Sequence, residues 1–344
     1  MLDLTLAAAQ RHDLLTVFPL VAVGEPELPY TLLVDALAAG TVRITEVGAG
    51  TVPALLASNA GDVDVLVLDG EQLVGARQNR MTNRSILLPA RNETRIPVSC
   101  MEQGRWHFES DAMRHAPQHS PTKVRRKARV IEAEYAATGL VAPASSLADA
   151  QSAVWEEIAE IRDALGAYAP TGALNDVYES TRDALEAATS SFPLVPGQVG
   201  LLAFVGATPL GMDVIGGRAL YARVHERLLR GYVLDALDTR ARARRRGVTD
   251  PTSTPPDDAD ALRFLARVRA ADRVEAPTVG RGVYRVLSGE VIGAELEADG
   301  APVHLFAFPV DEHSRRTGTT AGPSEAHRNP LAPPSVRRRR RLGE

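Results

Sequence analysis

"DGEQLVGARQNRMTNRSILLPARNETRIPVSCMEQGRW", residues 69–106, sets clustered polar side chains between short apolar runs, and the fold turns on how it is read. Taken as extended, residues 73–80 place Val74, Ala76, Gln78 and Arg80 on one face and Leu73, Gly75, Arg77 and Asn79 on the other. Both faces change from apolar to polar toward the strand's end, as in a strand that leaves a core for the mouth of a cleft. SILLPA and ETRIPVSC are the next strand candidates. In the second, Thr94, Ile96, Val98 and Cys100 share a face, which sets Cys100 on the core side. Gln78, Arg80 and Arg105 are therefore expected to converge on one partly exposed cleft, with Cys100 at or below its floor.

Toward the N-terminus, LLTVFPLVAV (14–23) reads as a strand, and its Pro19 suggests an edge position because proline cannot donate to a ladder. PYTLLVDALAAG predicts a short helix with Pro29 in its first turn and Gly40 at its end. TVRITEV, VPALLAS and VDVLVLD add strands. Beyond the opening stretch the chain turns helical. Ser120 and Pro121 start a helix that runs to Gly139, Ser146 and Asp149 have capping-box spacing, and Val154, Ile158, Ile161 and Leu165 form one stripe. A third helix is expected over 172–189. PGQVGLLAFVGATPLGMDVIG then gives two strands around a turn, followed by helices near 218–237 and 261–271 and a closing meander. Neither β-rich half looks self-sufficient. The expectation is one composite α+β domain over 1–312, with β-rich layers from its N- and C-terminal parts and a central helical segment.

The balance of 44% hydrophobic and 24% charged residues in 344 supports a soluble globular body. The first residues lack a basic leader and no apolar run approaches bilayer length, so a cytoplasmic location is expected. Cys100, the only cysteine, excludes an internal disulfide and a multi-cysteine metal site. His115 and His119 flank Pro117, which argues against a helical zinc pair, and GAG at Gly48, GRG at Gly280 and GATPLG at Gly206 lack the spacing of a dinucleotide fingerprint, so neither metal nor cofactor is expected. Residues 313–344 carry eight arginines against Glu325 and Glu344, a net +6, which leaves −10 for the rest of a chain of net −4. That tail is expected to be disordered, able at most to make weak salt-sensitive contacts with nucleic acid. KVRRKAR at Lys123 and RARARRR at Arg240 read as solvated faces.

LDGEQLVGARQNR, ETRIPVSCMEQGRW, GLLAFVGATPLGMDV with LLRGYVLDAL, and GAPVHLFAF together resemble the ADP-ribosylglycohydrolase and rhodanese-phosphatase-associated (ARPP) family, over roughly residues 14–310. The resemblance implies an association with nucleotide and ADP-ribose enzymes, hence a hint of a ligand such as NAD or ADP-ribose, and no defined reaction.

On their own chemistry, Arg80 and Arg105 offer planar forks for phosphate or carboxylate. Gln78 and Asn79 have the donors and acceptors to read a base or ribose, and Trp106 can stack on a ring. Those five are the candidate ligand-binding residues, although such groups also commonly bind open backbone or pair with Glu71 or Glu102. Cys100 is a candidate nucleophile or a small core residue, and Glu71 with Glu102 a candidate acid–base pair. Three readings follow: binding of a nucleotide-derived small molecule, hydrolysis of such a ligand, or a scaffold that acts through the basic tail.

Overall fold

The computed structural model describes residues 3–310, apart from 23, 25–27, 49, 51–52, 139–146 and 248–253. The described residues contain seven helices and 18 strands in three sheets, an α+β fold. Met1–Pro309 form one compact unit. The Arg-rich tail, the helix end at Gly139 and the capping box at Ser146 fall outside the described residues.

The largest sheet is antiparallel throughout and draws on both ends of the chain. Its order is Leu4–Leu6, Leu15–Ala22, Gln198–Val205, Thr208–Ile215, Ala301–Pro309, Val291–Ala298, Val283–Ser288 and Asp272–Ala276, with Gln10–His12 as a second partner of Leu15–Ala22. Successive side chains point to opposite faces, and both faces are covered. Val17, Leu201 and Ala203 pack with Leu229, Tyr232 and Val233 of the long helix Arg218–Arg245. Phe18, Leu20, Leu202 and Phe204 pack with Phe264, Leu265 and Val268 of helix Asp258–Ala270. This two-sided burial is why the strands read as continuous apolar runs. Each such side chain contributes about 1.5–3 kcal/mol, and Phe18 and Phe204 also meet edge-to-face at 5.7 Å.

Pro19 does not mark an edge. Its strand has neighbours on both sides, and the proline lies opposite the interruption between Leu4–Leu6 and Gln10–His12, where only its carbonyl is used, by the Ala7 N–H at 2.9 Å. A missing donor is harmless beside a gap in the partner.

A six-stranded sheet carries the opening stretch, in the order Met113–His119, Glu71–Gly75, Arg80–Thr82, Asn92–Cys100, Ala54–Asn59 and Val42–Glu46. The expected single strand over 73–80 is instead a hairpin, Glu71–Gly75 turning into Arg80–Thr82. Gly75 and Ala76 both take positive φ, 113° and 45°, and this reverses the chain. A smaller sheet of Ile86–Leu88, Val65–Val67 and Thr31–Leu32 shares a core with helix Leu33–Ala38. That helix begins after Thr31–Leu32, so Pro29 is not in its first turn.

Two further helix expectations change. Helix Thr122–Ala137 starts at Pro121, and Ser120 gives no cap. Asp235, from the long helix, does so instead: one carboxylate oxygen accepts both the N–H and the hydroxyl of Thr122 at 2.6 Å. The long helix comes this close because Gly231 has no side chain, as a Cβ there would stand 2.8 Å from the Ser120 carbonyl oxygen. The helix expected over 172–189 is two, Leu174–Ser180 and Arg182–Thr189, broken at Thr181.

Candidate functional site

Register builds the predicted cluster. Cys100 pairs with Arg80 across neighbouring strands, and the hairpin turn returns Gln78 beside them. Arg80 Nη1 donates to Gln78 Oε1 at 2.8 Å and contacts Cys100 Sγ at 3.1 Å, and the thiol donates to the same Gln78 oxygen at 3.0 Å. Gln151 clamps the backbone of Cys100 from helix Leu147–Leu165, accepting from its N–H at 2.7 Å and donating to its carbonyl at 2.9 Å.

Arg105 and Glu102 form the adjoining half. Arg105 Nε donates to Glu102 Oε2 at 2.8 Å, and its Nη2 donates to Asn79 Oδ1 at 3.1 Å. Gln78 Nε2 joins the halves by donating to the Glu102 carbonyl at 2.9 Å. Thr171 donates its hydroxyl to Glu102 Oε1 at 2.7 Å. Gln78, Arg80, Cys100 and Arg105 therefore meet, but in the interior and not in an open cleft: Arg80 is fully buried and Arg105 only 6% exposed. A charge this deep is tolerable only when its partners are fixed.

Arg80 is incompletely partnered. Its Nε and Nη2 have no hydrogen-bond partner among the described residues, and Glu46 stands off at 3.9 Å. The Trp106 ring lies 5.6 Å from the guanidinium carbon and is itself 47% exposed.

Glu71 does not join this cluster. It is fully buried beside His115 Nε2 at 3.3 Å and Arg227 Nη2 at 3.4 Å, and it accepts the Leu68 N–H, so its hydrogen-bond partners are not those of Glu102. Burial opposes ionisation of both carboxylates. His115 and Arg227 at Glu71, and Arg105 and Thr171 at Glu102, outweigh it and hold both below the usual range. Burial pushes the Cys100 thiol up to about 11, against the pull of Arg80. A neutral thiol is a poor nucleophile, and two ionised, separately partnered carboxylates do not make an acid–base pair.

The most elaborate polar cluster was not anticipated. Arg125, 1% exposed, donates Nη1 and Nη2 to the two oxygens of Asp213 at 2.8 Å and Nε to Asp69 at 2.9 Å. Phe306 and Phe308 lie 5.1 and 4.9 Å from its guanidinium carbon. Tyr232 donates to Asp213 at 2.7 Å, and His304 bridges Asp213 at 3.1 Å and Ser85 at 2.5 Å. Despite burial, Arg125 first and His304 after it hold Asp213 far below the usual carboxylate range. Ser85, His304 and Asp213 line up in the order of a catalytic triad, yet none is more than 3% exposed and Arg125 already neutralises the carboxylate. They join the two large sheets to helix Thr122–Ala137. KVRRKAR is thus not simply a solvated face, since Arg125 and Arg129 are buried. The signal was a lone Asp213 and a lone His304 inside apolar strands, with two arginines four residues apart on the apolar side of a helix.

RARARRR, by contrast, is an ion-paired surface: Arg240 meets Asp13, and Arg242 meets Asp238, Glu157 and Glu160. No helix among the described residues is long and apolar enough to cross a membrane.

A family model described as ARPP-1, the ARG and Rhodanese-Phosphatase-superfamily-associated Protein domain, matches residues 3–308. No curated protein and no solved structure matches the chain.

Proposed function

The chain belongs to the ARPP-1 domain family, and on that premise we propose that its body binds a phosphate-bearing, nucleotide-derived small molecule of the NAD or ADP-ribose kind at Arg80 and Trp106. The observation that carries this reading is the state of Arg80, a fully buried cation whose Nε and Nη2 have no hydrogen-bond partner among the described residues, with only Glu46 near Nη2 at the ion-pair distance of 3.9 Å. Those two N–H groups form one edge of the guanidinium, the edge that meets two oxygens of a phosphate side-on. Unmet donors in the interior are costly, so a ligand that satisfies them gains what the folded protein alone forgoes. Trp106 stacks 5.6 Å from the guanidinium carbon and is half exposed, so turning this one ring aside would open the guanidinium to an anion and offer a stacking face for a base. Gln78, Asn79 and Arg105 are committed to protein partners and shape the site. Hydrolysis by Cys100 or the two glutamates finds less support, because the thiol is held neutral and both carboxylates are held ionised.

The sequence has two tryptophans, so Trp155→Phe leaves Trp106 as the sole tryptophan, whose emission can be excited selectively over that of the tyrosines. Titrating this variant with ADP-ribose, NAD, AMP and inorganic phosphate should give saturable quenching with at least one nucleotide. The same ligand at about 100 times its Kd should stabilise the fold by about 2.7 kcal/mol. Arg80→Gln should abolish the quench. Absence of quenching and of thermal shift with every ligand at millimolar concentration defeats the proposal, as does unchanged affinity in Arg80→Gln.

A further inference from the structure

A cleft of about 450 Å³ lies between the 186–194 segment and the long helix Arg218–Arg245, and none of its lining residues belongs to the Arg80 cluster. Buried Phe192 and Leu229 give it an apolar floor, and Leu194, 42% exposed, stands at its rim. The volume falls within the range of small-molecule sites.

Most of its polar groups are already engaged. His225 has Tyr221 Oη 3.0 Å from Nδ1 and the Phe192 carbonyl oxygen 2.9 Å from Nε2, and burial holds its pKa down, so the ring is neutral. Arg230 pairs with Glu226 at 2.7 Å. The Ser190 hydroxyl donates to the Ala187 carbonyl. Two groups are left over. The Thr189 hydroxyl oxygen is buried without a hydrogen-bond partner among the described residues, in a residue only 8% exposed. Glu186 is an exposed carboxylate with no ion partner among the described residues.

We propose that this cleft binds a small organic cation, an ammonium group carried on a compact aryl or alkyl body. The ammonium would donate to Glu186 and to the Thr189 hydroxyl, while the body covers Phe192, Leu229 and Leu194. An anion is disfavoured, because Glu186 and Glu226 outnumber Arg230 and neutral His225 adds no positive charge. The cationic ligand supplies what the cleft lacks, a donor for a buried oxygen and a countercharge for a lone carboxylate.

Calorimetric titration of the full chain with benzylamine, and separately with benzyl alcohol and benzoate, tests this directly. Benzylamine should bind saturably, benzyl alcohol about fivefold more weakly, and benzoate not at all. Glu186→Gln, at an exposed position that does not endanger folding, should cost benzylamine about fivefold and leave benzyl alcohol unaffected. Thr189→Val, close to isosteric, should weaken benzylamine while the Tm stays near that of the parent. Benzoate binding as tightly as benzylamine overturns the proposal. So does a Glu186→Gln variant with full benzylamine affinity, or no benzylamine binding at all in the millimolar range.

Discussion

Replacing Arg125 by methionine removes one side chain and three charge-assisted hydrogen bonds of 2.8–2.9 Å, two to Asp213 and one to Asp69. Asp69 keeps Arg129 at 3.8 Å, so its charge stays partly compensated. Asp213, fully buried, keeps only Tyr232 and His304. Breaking one partner out of such a pair costs about 3–5 kcal/mol, chiefly through the charge left behind, against a total stability for a domain of about 5–15 kcal/mol. The pH dependence identifies the cause. In the parent, the depressed Asp213 pKa contributes stability that is complete at pH 5 and above and is lost only as pH falls below the unfolded carboxylate range. In Arg125→Met the buried carboxylate has lost its cation and its pKa rises above the unfolded value, so the penalty is present at pH 7 and relieved as acid protonates it. Urea denaturation followed by circular dichroism should therefore give a loss of about 3–5 kcal/mol at pH 7 and a clearly smaller one at pH 5. Adding Asp213→Asn should recover part of it. A loss below about 1 kcal/mol at pH 7, or one equal at both pH values, would mean that an uncompensated Asp213 charge is not what destabilises the variant.

Cys100, its pKa pushed up to about 11 by burial, should resist maleimide in native buffer and label readily in urea, whereas stoichiometric native labelling within seconds would contradict the neutral, enclosed thiol. Asp235 is raised to about 6, by burial first, against the pull of Lys123 and Thr122. Its folded pKa lies above its unfolded one, so it adds stability as pH falls from about 6 toward 4, and thermal melts should show the parent gaining on Asp235→Asn over that window. A difference between the two that does not vary with pH would remove Asp235 as the titrating group.

Strands were legible wherever an apolar run met a turn signal, as in Gln198–Val205 and Thr208–Ile215 around Gly206. The hairpin at Gly75 and Ala76 was not, because an alanine at positive φ leaves no mark in a sequence and the polar run after it continues an alternating pattern. Cys100 on the core side followed from the two-residue period, and it is buried. Burial of Arg80 and Arg105 did not follow, since one chain cannot reveal which loops fold over a strand's end. Arg125 illustrates the same difficulty: its partners Asp69 and Asp213 lie 56 and 88 residues away, and local charge patterning reads such an arginine as solvated. Asp235 replaces Ser120 as a helix cap for a similar reason, because a cap supplied by another element has no local signature.

Leu15–Ala22 lies between Leu4–Leu6 and Gln198–Val205, with Leu15 opposite Val205. During synthesis this apolar strand leaves the ribosome before its main partner and waits for it through nearly two hundred residues, about 10–40 s at ordinary elongation rates. Throughout that interval one of its edges offers unpaired N–H and C=O groups to any other extended chain. The strand's safety thus depends on what shields it during translation, so slowing elongation after residue 22 should increase aggregation of the nascent chain more than slowing it after residue 205.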